Sequence, residues 1–282
     1  MSKFLLFNGQ FHAEGAELLQ VTNRGLNYGD GFFESMRISN ERLPFLKGHW
    51  QRILRVCKFL RIEVPTVLTE QSFNEYALAL AHRNGYTNAR IRFQGYRMGE
   101  GRYAPESNHL GWSMICEELE NSECILNKNG LHLGFCNTHS INPAPQSSFK
   151  SSNSLPYIMA SMFVADNKLD DCFLLDTKGF VAEATGSNVF LLKGNELITP
   201  DLSNGGVPGV MRSVILKEAA TIGLKTIEAL VTKSDVLGAD ECFLTNAARG
   251  IQWVGAVEKK RYYKRGAEKL LNHINTQYSL IS

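Results

Sequence analysis

At 282 residues, 44% apolar and 21% charged, the chain has the make-up of an ordinary globular protein too long for one comfortable core, so two domains are expected. Thirty basic residues against 28 acidic ones leave a net charge of +2, which argues against a nucleic-acid binder, normally marked by a strong basic stripe. No apolar run reaches the roughly 18 residues a membrane span needs, and the opening MSKFLLFNGQ is too short in apolar residues for a signal peptide.

Phe4 to Phe7 and Gln10 to His12 are expected as a hairpin around Asn8-Gly9. From Asn23 to Ser39 the chain reads NRGLNYGDGFFESMRIS. Three glycines make its first half a tight loop, and the second half is a strand. Leu46 to Ile62 places Trp50, Ile53, Leu54, Cys57 and Leu60 at helical spacing. Thr69 to Asn84 is a second helix, stopped by Gly85. Ala89 to Arg97 and Leu110 to Glu117 are strands flanking the polar loop RMGEGRYAPES. The polar stretch EELENSECILNKN marks the domain boundary, giving an α+β part over 1–119, a linker at about 120–129 and a second part over 130–282.

The second part opens with a strand, Leu131 to Cys136, and the loop NTHSINPAPQSS leads to Lys150. Asn153 or Ser154 caps the helix that follows, with Pro156 in its first turn. Hairpins are expected around Thr177-Lys178-Gly179 and Gly194-Asn195, and a glycine-rich loop enters a helix near Val210. Lys225 to Leu230 and Glu241 to Asn246 are strands, Thr232 caps a short helix, and Lys264 to Ser279 is a closing helix. The six cysteines are scattered without a CxxC, and read as reduced core thiols. The seven histidines show no metal-ligand spacing, so no metal site is expected.

Lys150 stands alone among small polar residues in SSFKSSNS, just ahead of a helix. Most lysines only solvate a surface, but loops before helices are common seats of chemistry. Gly205-Gly206-Val207-Pro208-Gly209 ahead of a helix is a candidate anion site, because the first helical amides lack internal partners. On its own the stretch reads first as an ordinary proline-glycine turn with a capped helix. Glu183 ends a strand before the small-residue run ATGSN; it could pair with a ring nitrogen or be a solvated strand end. Arg52 is surface by default on its helix, Arg102 sits in a glycine loop where it could fork onto a carboxylate, and Thr245 ends a strand. Together, a lysine, a carboxylate after a hairpin, a phosphate-type helix start and spare arginines are what a pyridoxal phosphate site requires.

The order of motifs resembles the class IV, fold-type IV pyridoxal phosphate enzymes, over nearly the whole chain. NRGLNYGDGFFESMR is similar to the family's RGxxxGDGxFE, His49-Trp50-Gln51-Arg52 to its H-x-x-R, and Lys150-Ser151-Ser152-Asn153 to its K-x-x-N. EATGSNVF, PGVMR and ADECFLTNAARGI also resemble family segments. The resemblance implies a two-domain, D-amino-acid aminotransferase-like α+β fold, with a small N-terminal α/β domain and a larger C-terminal mixed-sheet domain. It implies pyridoxal 5'-phosphate as cofactor, with Lys150 as Schiff-base lysine and catalytic base, and Glu183 as partner of the pyridine nitrogen. Arg52, Ser187, Asn188, Val210, Met211, Thr245 and Asn246 would hold the cofactor. Tyr28, Phe33, Arg102 and Ala247 would meet the substrate.

Among members, TNAARGI and GEGRYAP are closest to aminodeoxychorismate lyases, although one glycine of a full GRGY is missing and Trp253 replaces a small or proline residue. The expected reaction is pyruvate elimination from 4-amino-4-deoxychorismate to give 4-aminobenzoate. Branched-chain or D-amino-acid transamination is the alternative, and a non-catalytic phosphate-binding protein of the same fold a lesser one. A small-molecule amino substrate, a homodimer and a cytoplasmic location are expected, with no nucleic-acid or membrane partner.

Overall fold

A computed structural model describes residues 3–278 and 280. The chain forms two compact units. Unit 1 comprises the described residues up to Glu123 together with Lys150–Asn153; unit 2 comprises Cys124–Phe149 and the described residues from Ser154 onward.

Unit 1 is built on a five-stranded antiparallel sheet. Its strands are β1 (Phe4–Phe7), β2 (Gln10–Ala13), β3 (Gly31–Ile38), β4 (Ala89–Arg97) and β5 (Leu110–Glu118), in the order β2-β1-β5-β4-β3. Asn8 and Gly9, both at positive φ, turn β1 directly into β2, the left-handed pair a two-residue hairpin demands. Arg24–Tyr28, expected as loop, is a short helix (α1): the Asn23 side chain accepts from the Leu26 amide, and Gly29 ends it in the left-handed region. Helices α2 (Leu46–Leu60) and α3 (Glu70–Arg83) follow. Thr69 is the cap of α3 rather than part of it, in a reciprocal box with Ser72. α2 packs on β3 and α3 on β1 and β5, burying Trp50, Ile53, Phe73 and Leu80. The Phe73 and Phe93 rings lie 5.3 Å apart at the centre. Each fully buried phenylalanine contributes about 2–3 kcal/mol.

Lys150–Asn153 continues this sheet. The Phe33 amide donates to the Lys150 carbonyl (2.8 Å) and the Ser152 amide to Gly31 (2.9 Å), with Phe32 and Ser151 paired antiparallel. A Cβ on Gly31 would lie 2.5 Å from the Gly95 carbonyl and 3.2 Å from the Ser152 hydroxyl. The glycine of the motif is therefore what lets this strip approach the edge of β3. The sequence assigned these four residues to the second part; their backbone pairing puts them in unit 1.

Unit 2 holds a nine-stranded mixed sheet. In chain order its elements are β6 (Leu131–Ile141), α4 (Leu155–Asp166), β7 (Asp171–Asp176), β8 (Val181–Ala184), β9 (Asn188–Lys193), β10 (Glu196–Pro200) and α5 (Val210–Glu218). There follow β11 (Lys225–Ala229), α6 (Lys233–Gly238), β12 (Glu241–Asn246), β13 (Gly250–Val257), β14 (Lys260–Arg261) and α7 (Arg265–Gln277). The sheet order is β11-β10-β9-β12-β13-β6-β7-β8, with β14 on β13; β10–β11, β13–β6 and β6–β7 are parallel and the rest antiparallel. β6 runs five residues past its predicted end, because a register shift between Phe135 and Ser140 lets it rejoin β7 at Ser140 and Ile141. Ser154, not Asn153, caps α4. The closing helix was expected to reach Ser279, which lies outside the described residues. Phe135, Phe173, Val189, Leu191, Cys242, Leu244 and Val254 share one core cluster. Five of the six free cysteines are buried.

Candidate active site

In unit 1 the strip on β3 carries Lys150 to the ring of Phe33: its Nζ lies 4.7 Å from the ring centroid. The Arg92 guanidinium lies 4.2 Å from the same centroid. Two cations thus share one aromatic ring, and burial foremost, then Arg90, lower the pKa of Arg92. Arg92 was not singled out in the sequence; only the β3–β4 pairing that sets Ser35 opposite Arg92 brings it to Phe33.

Arg52 is buried, against its surface default. Its Nε donates to Glu34 Oε2 at 2.8 Å and its Nη2 to Oε1, while His49 Nδ1 lies 2.8 Å from the same Oε1. Burial works against the Glu34 charge, but the Arg52 charge and the His49 hydrogen bond outweigh it and hold the carboxyl down to about 2. The H-x-x-R spacing is therefore one helical turn presenting both side chains to one buried acid. Glu34, the last residue of GDGxFE, carried no signal of this role.

The remaining unit 1 candidates surround the glycine loop. Arg24, buried, donates through Nη1 to the carbonyls of Glu100, Gly101 and Arg102 at 3.3, 2.8 and 2.6 Å. Its Nε and that of Arg97 both bond Asp30, at 2.9 and 3.0 Å. Asp30 of the GDG motif thus locks Arg24, and Arg24 holds the loop that exposes Arg102. Tyr28 meets Tyr103 at 5.9 Å between centroids.

In unit 2, Glu183 lies one residue before the end of β8 at 3% exposure. The Tyr157 hydroxyl donates to its Oε1 (2.6 Å) and the Val207 amide to its Oε2 (3.0 Å). Asn188, at the start of β9, donates to the Val207 carbonyl (2.8 Å) and pairs in register with Thr245. Asn246 donates to the Ser187 hydroxyl at 3.0 Å and accepts from the Ala248 and Arg249 amides, turning the chain around Ala247. α5 packs on β12 and starts at Gly209, where a Cβ would lie 2.0 Å from Asn188 Oδ1. Glycine has no side chain to cap the Val210 and Met211 amides.

A phosphate fits this part of unit 2. The Thr245 hydroxyl, 1% exposed, is buried with no hydrogen-bond partner. An unbonded buried hydroxyl is costly unless a ligand satisfies it, and the uncapped start of α5 has the same need. Among the described residues, no cluster of three or more His, Cys, Asp or Glu could hold a metal ion, and no helix is long and apolar enough to cross a membrane.

The fold is that of the fold-type IV pyridoxal phosphate enzymes. The branched-chain aminotransferase of Thermoproteus uzoniensis, solved with norvaline, matches with a TM-score of 0.89 at 20% identity, over 99% of this chain and 96% of its own. The "Amino-transferase class IV" signature matches residues 31–257, and the chain belongs to that family. A Methanocaldococcus jannaschii protein named "Putative branched-chain-amino-acid aminotransferase" is 31% identical over 88% of this chain and 85% of its own. The aminodeoxychorismate lyase of Bacillus subtilis is 27% identical over 93% and 89%. The chain is thus a class IV enzyme dependent on pyridoxal 5'-phosphate.

Proposed function

We propose that this enzyme is a 4-amino-4-deoxychorismate lyase, releasing pyruvate and leaving 4-aminobenzoate. The observation that carries this reading is the anchored glycine loop. Arg24 fixes three successive carbonyls beneath Arg102, and the substrate carries two carboxylates for Arg102 and Arg92 to receive. The similarity to the Bacillus subtilis lyase spans nearly both chains and points the same way.

When bound, the cofactor supplies an electron sink for a carbanion. Lys150 would tether the cofactor, and its amine would take and return the substrate proton. Glu183 would face the ring nitrogen. Thr245, the Val210 and Met211 amides and Arg52 would hold the phosphate, with Ser187, Asn188 and Asn246 shaping the cradle. Tyr28, Phe33 and Ala247 line the substrate side. A homodimer is part of this reading: Leu155, Ile158 and Met162, one stripe of α4, are 65, 54 and 55% exposed, an apolar face that a second copy would cover. A cytoplasmic location completes it.

Branched-chain amino transfer is the second reading, favoured by the 31% identity to the Methanocaldococcus protein. A substrate panel separates the two. Pyruvate release from aminodeoxychorismate is expected. Transfer from L-branched-chain or D-amino acids to 2-oxoglutarate, without pyruvate release, would establish a transaminase instead.

A further inference from the structure

Tyr157 enters neither reading so far, yet its hydroxyl bonds the acid of the site directly. It lies in the first turn of α4, and its hydroxyl reaches Glu183 Oε1 at 2.6 Å while the Val207 amide takes Oε2. Glu183 is nearly inaccessible, and burial alone favours a neutral carboxyl. The Tyr157 hydroxyl on one oxygen and the Val207 amide on the other oppose that. The amide is backbone that any sequence would supply, whereas the hydroxyl is encoded by a side chain.

We propose that Tyr157 is a positioning residue that keeps Glu183 a carboxylate, and so places their shared proton on the cofactor's ring nitrogen rather than on the acid. The proposal rests on the reading that Glu183 faces that nitrogen. A carboxyl and a pyridine nitrogen sharing one proton have two arrangements, neutral acid with neutral ring or carboxylate with charged ring. A hydrogen bond donated to the carboxylate stabilises only the second. Burial foremost, then the charge and hydrogen bond of Glu183, push the Tyr157 phenol far above its usual range. The hydroxyl therefore stays protonated and donates at every working pH. A charged ring is the stronger electron sink, so Tyr157 acts on proton abstraction without touching the substrate.

The test loads the full-length protein with pyridoxal phosphate carrying 15N in the ring and reads the ring-nitrogen shift near neutral pH. Wild type is expected at the charged-ring position. Tyr157→Phe is expected to move toward the neutral-ring position, with kcat down about tenfold, the worth of one charge-assisted hydrogen bond, and KM unchanged. Glu183→Gln is the control and gives the neutral-ring position. If Tyr157→Phe keeps the wild-type shift while Glu183→Gln loses it, the proposal fails and the reading of Glu183 stands. If both keep it, the acid does not face the ring and both fail. Should Tyr157→Phe not fold, 4-aminophenylalanine at position 157 fills the same space with a weaker donor. A shift part-way to neutral supports the proposal, and an unmoved shift overturns it.

Discussion

Replacing Glu34 by Gln removes the charge that Arg52 and His49 share. Glu34 is 2% exposed, and its folded-state pKa is held at about 2 against an ordinary 4.5. That depression corresponds to about 3 kcal/mol of stability at neutral pH. Because the folded value is the lower one, this stability is complete above 4.5 and is lost as pH falls through about 2. The advantage of wild type over Glu34→Gln should therefore be full at about pH 7 and smaller by about 2 kcal/mol at about pH 3. The size at neutral pH should approach the roughly 3–5 kcal/mol typical of a buried pair broken from one side. Urea unfolding of the cofactor-free proteins, followed by tryptophan fluorescence, measures both. Trp50 and Trp112, at 8 and 5% exposure, report on unit 1. A difference that stays constant between the two pH values would refute the assignment of Glu34 as the buried charge. Pyridoxal phosphate binding should weaken in the same variant, since Arg52 loses what orients it.

Thr245→Val replaces an unbonded buried hydroxyl by a methyl of the same shape. It should stabilise the cofactor-free protein by about 1 kcal/mol yet weaken its hold on pyridoxal phosphate; a lower melting temperature without cofactor would show that the hydroxyl is satisfied internally. Gly209→Ala puts a methyl 2.0 Å from Asn188 Oδ1. A loss of about 1–3 kcal/mol, together with weaker phosphate binding, is expected by thermal melting and equilibrium dialysis, and an unaffected variant would mean that the start of α5 is not so tightly built. Lys150→Ala should lose turnover and the yellow covalent adduct while keeping the far-UV spectrum of wild type; retained turnover would remove Lys150 from the chemistry.

Local chemistry made much of this fold legible. The Asn8-Gly9 hairpin, the Thr232 cap and the helix entering at Val210 each follow from a few adjacent residues, and the structure has them at those places. The misses are long-range. α1 forms inside a glycine-rich stretch because Asn23 caps it locally, but Arg24 is held there by Asp30 and by carbonyls more than seventy residues away. β6 extends through a segment rich in turn residues because β7 offers it partners beyond a register shift. Arg52 looked like surface because helical spacing shows a face and not what lies opposite it; Glu34 on β3 is what buries it. Of the candidate site, the single motifs could be located in the chain, whereas Arg92 and Tyr157 had no local mark at all. Each acquires its place only through strand pairing or through a helix docked against a sheet.

The strip carrying Lys150 has a consequence for any attempt to divide the molecule. The backbone leaves unit 2 after Phe149, pairs with β3 through Lys150, Ser151 and Ser152, and returns at Ser154. A fragment beginning at Cys124 would keep Lys150 but leave it without the strand edge its backbone pairs with. A fragment ending at Glu123 would keep that edge and lack the amine. Splitting the gene between the two units would therefore yield two halves, neither of which holds Lys150 on its strand edge.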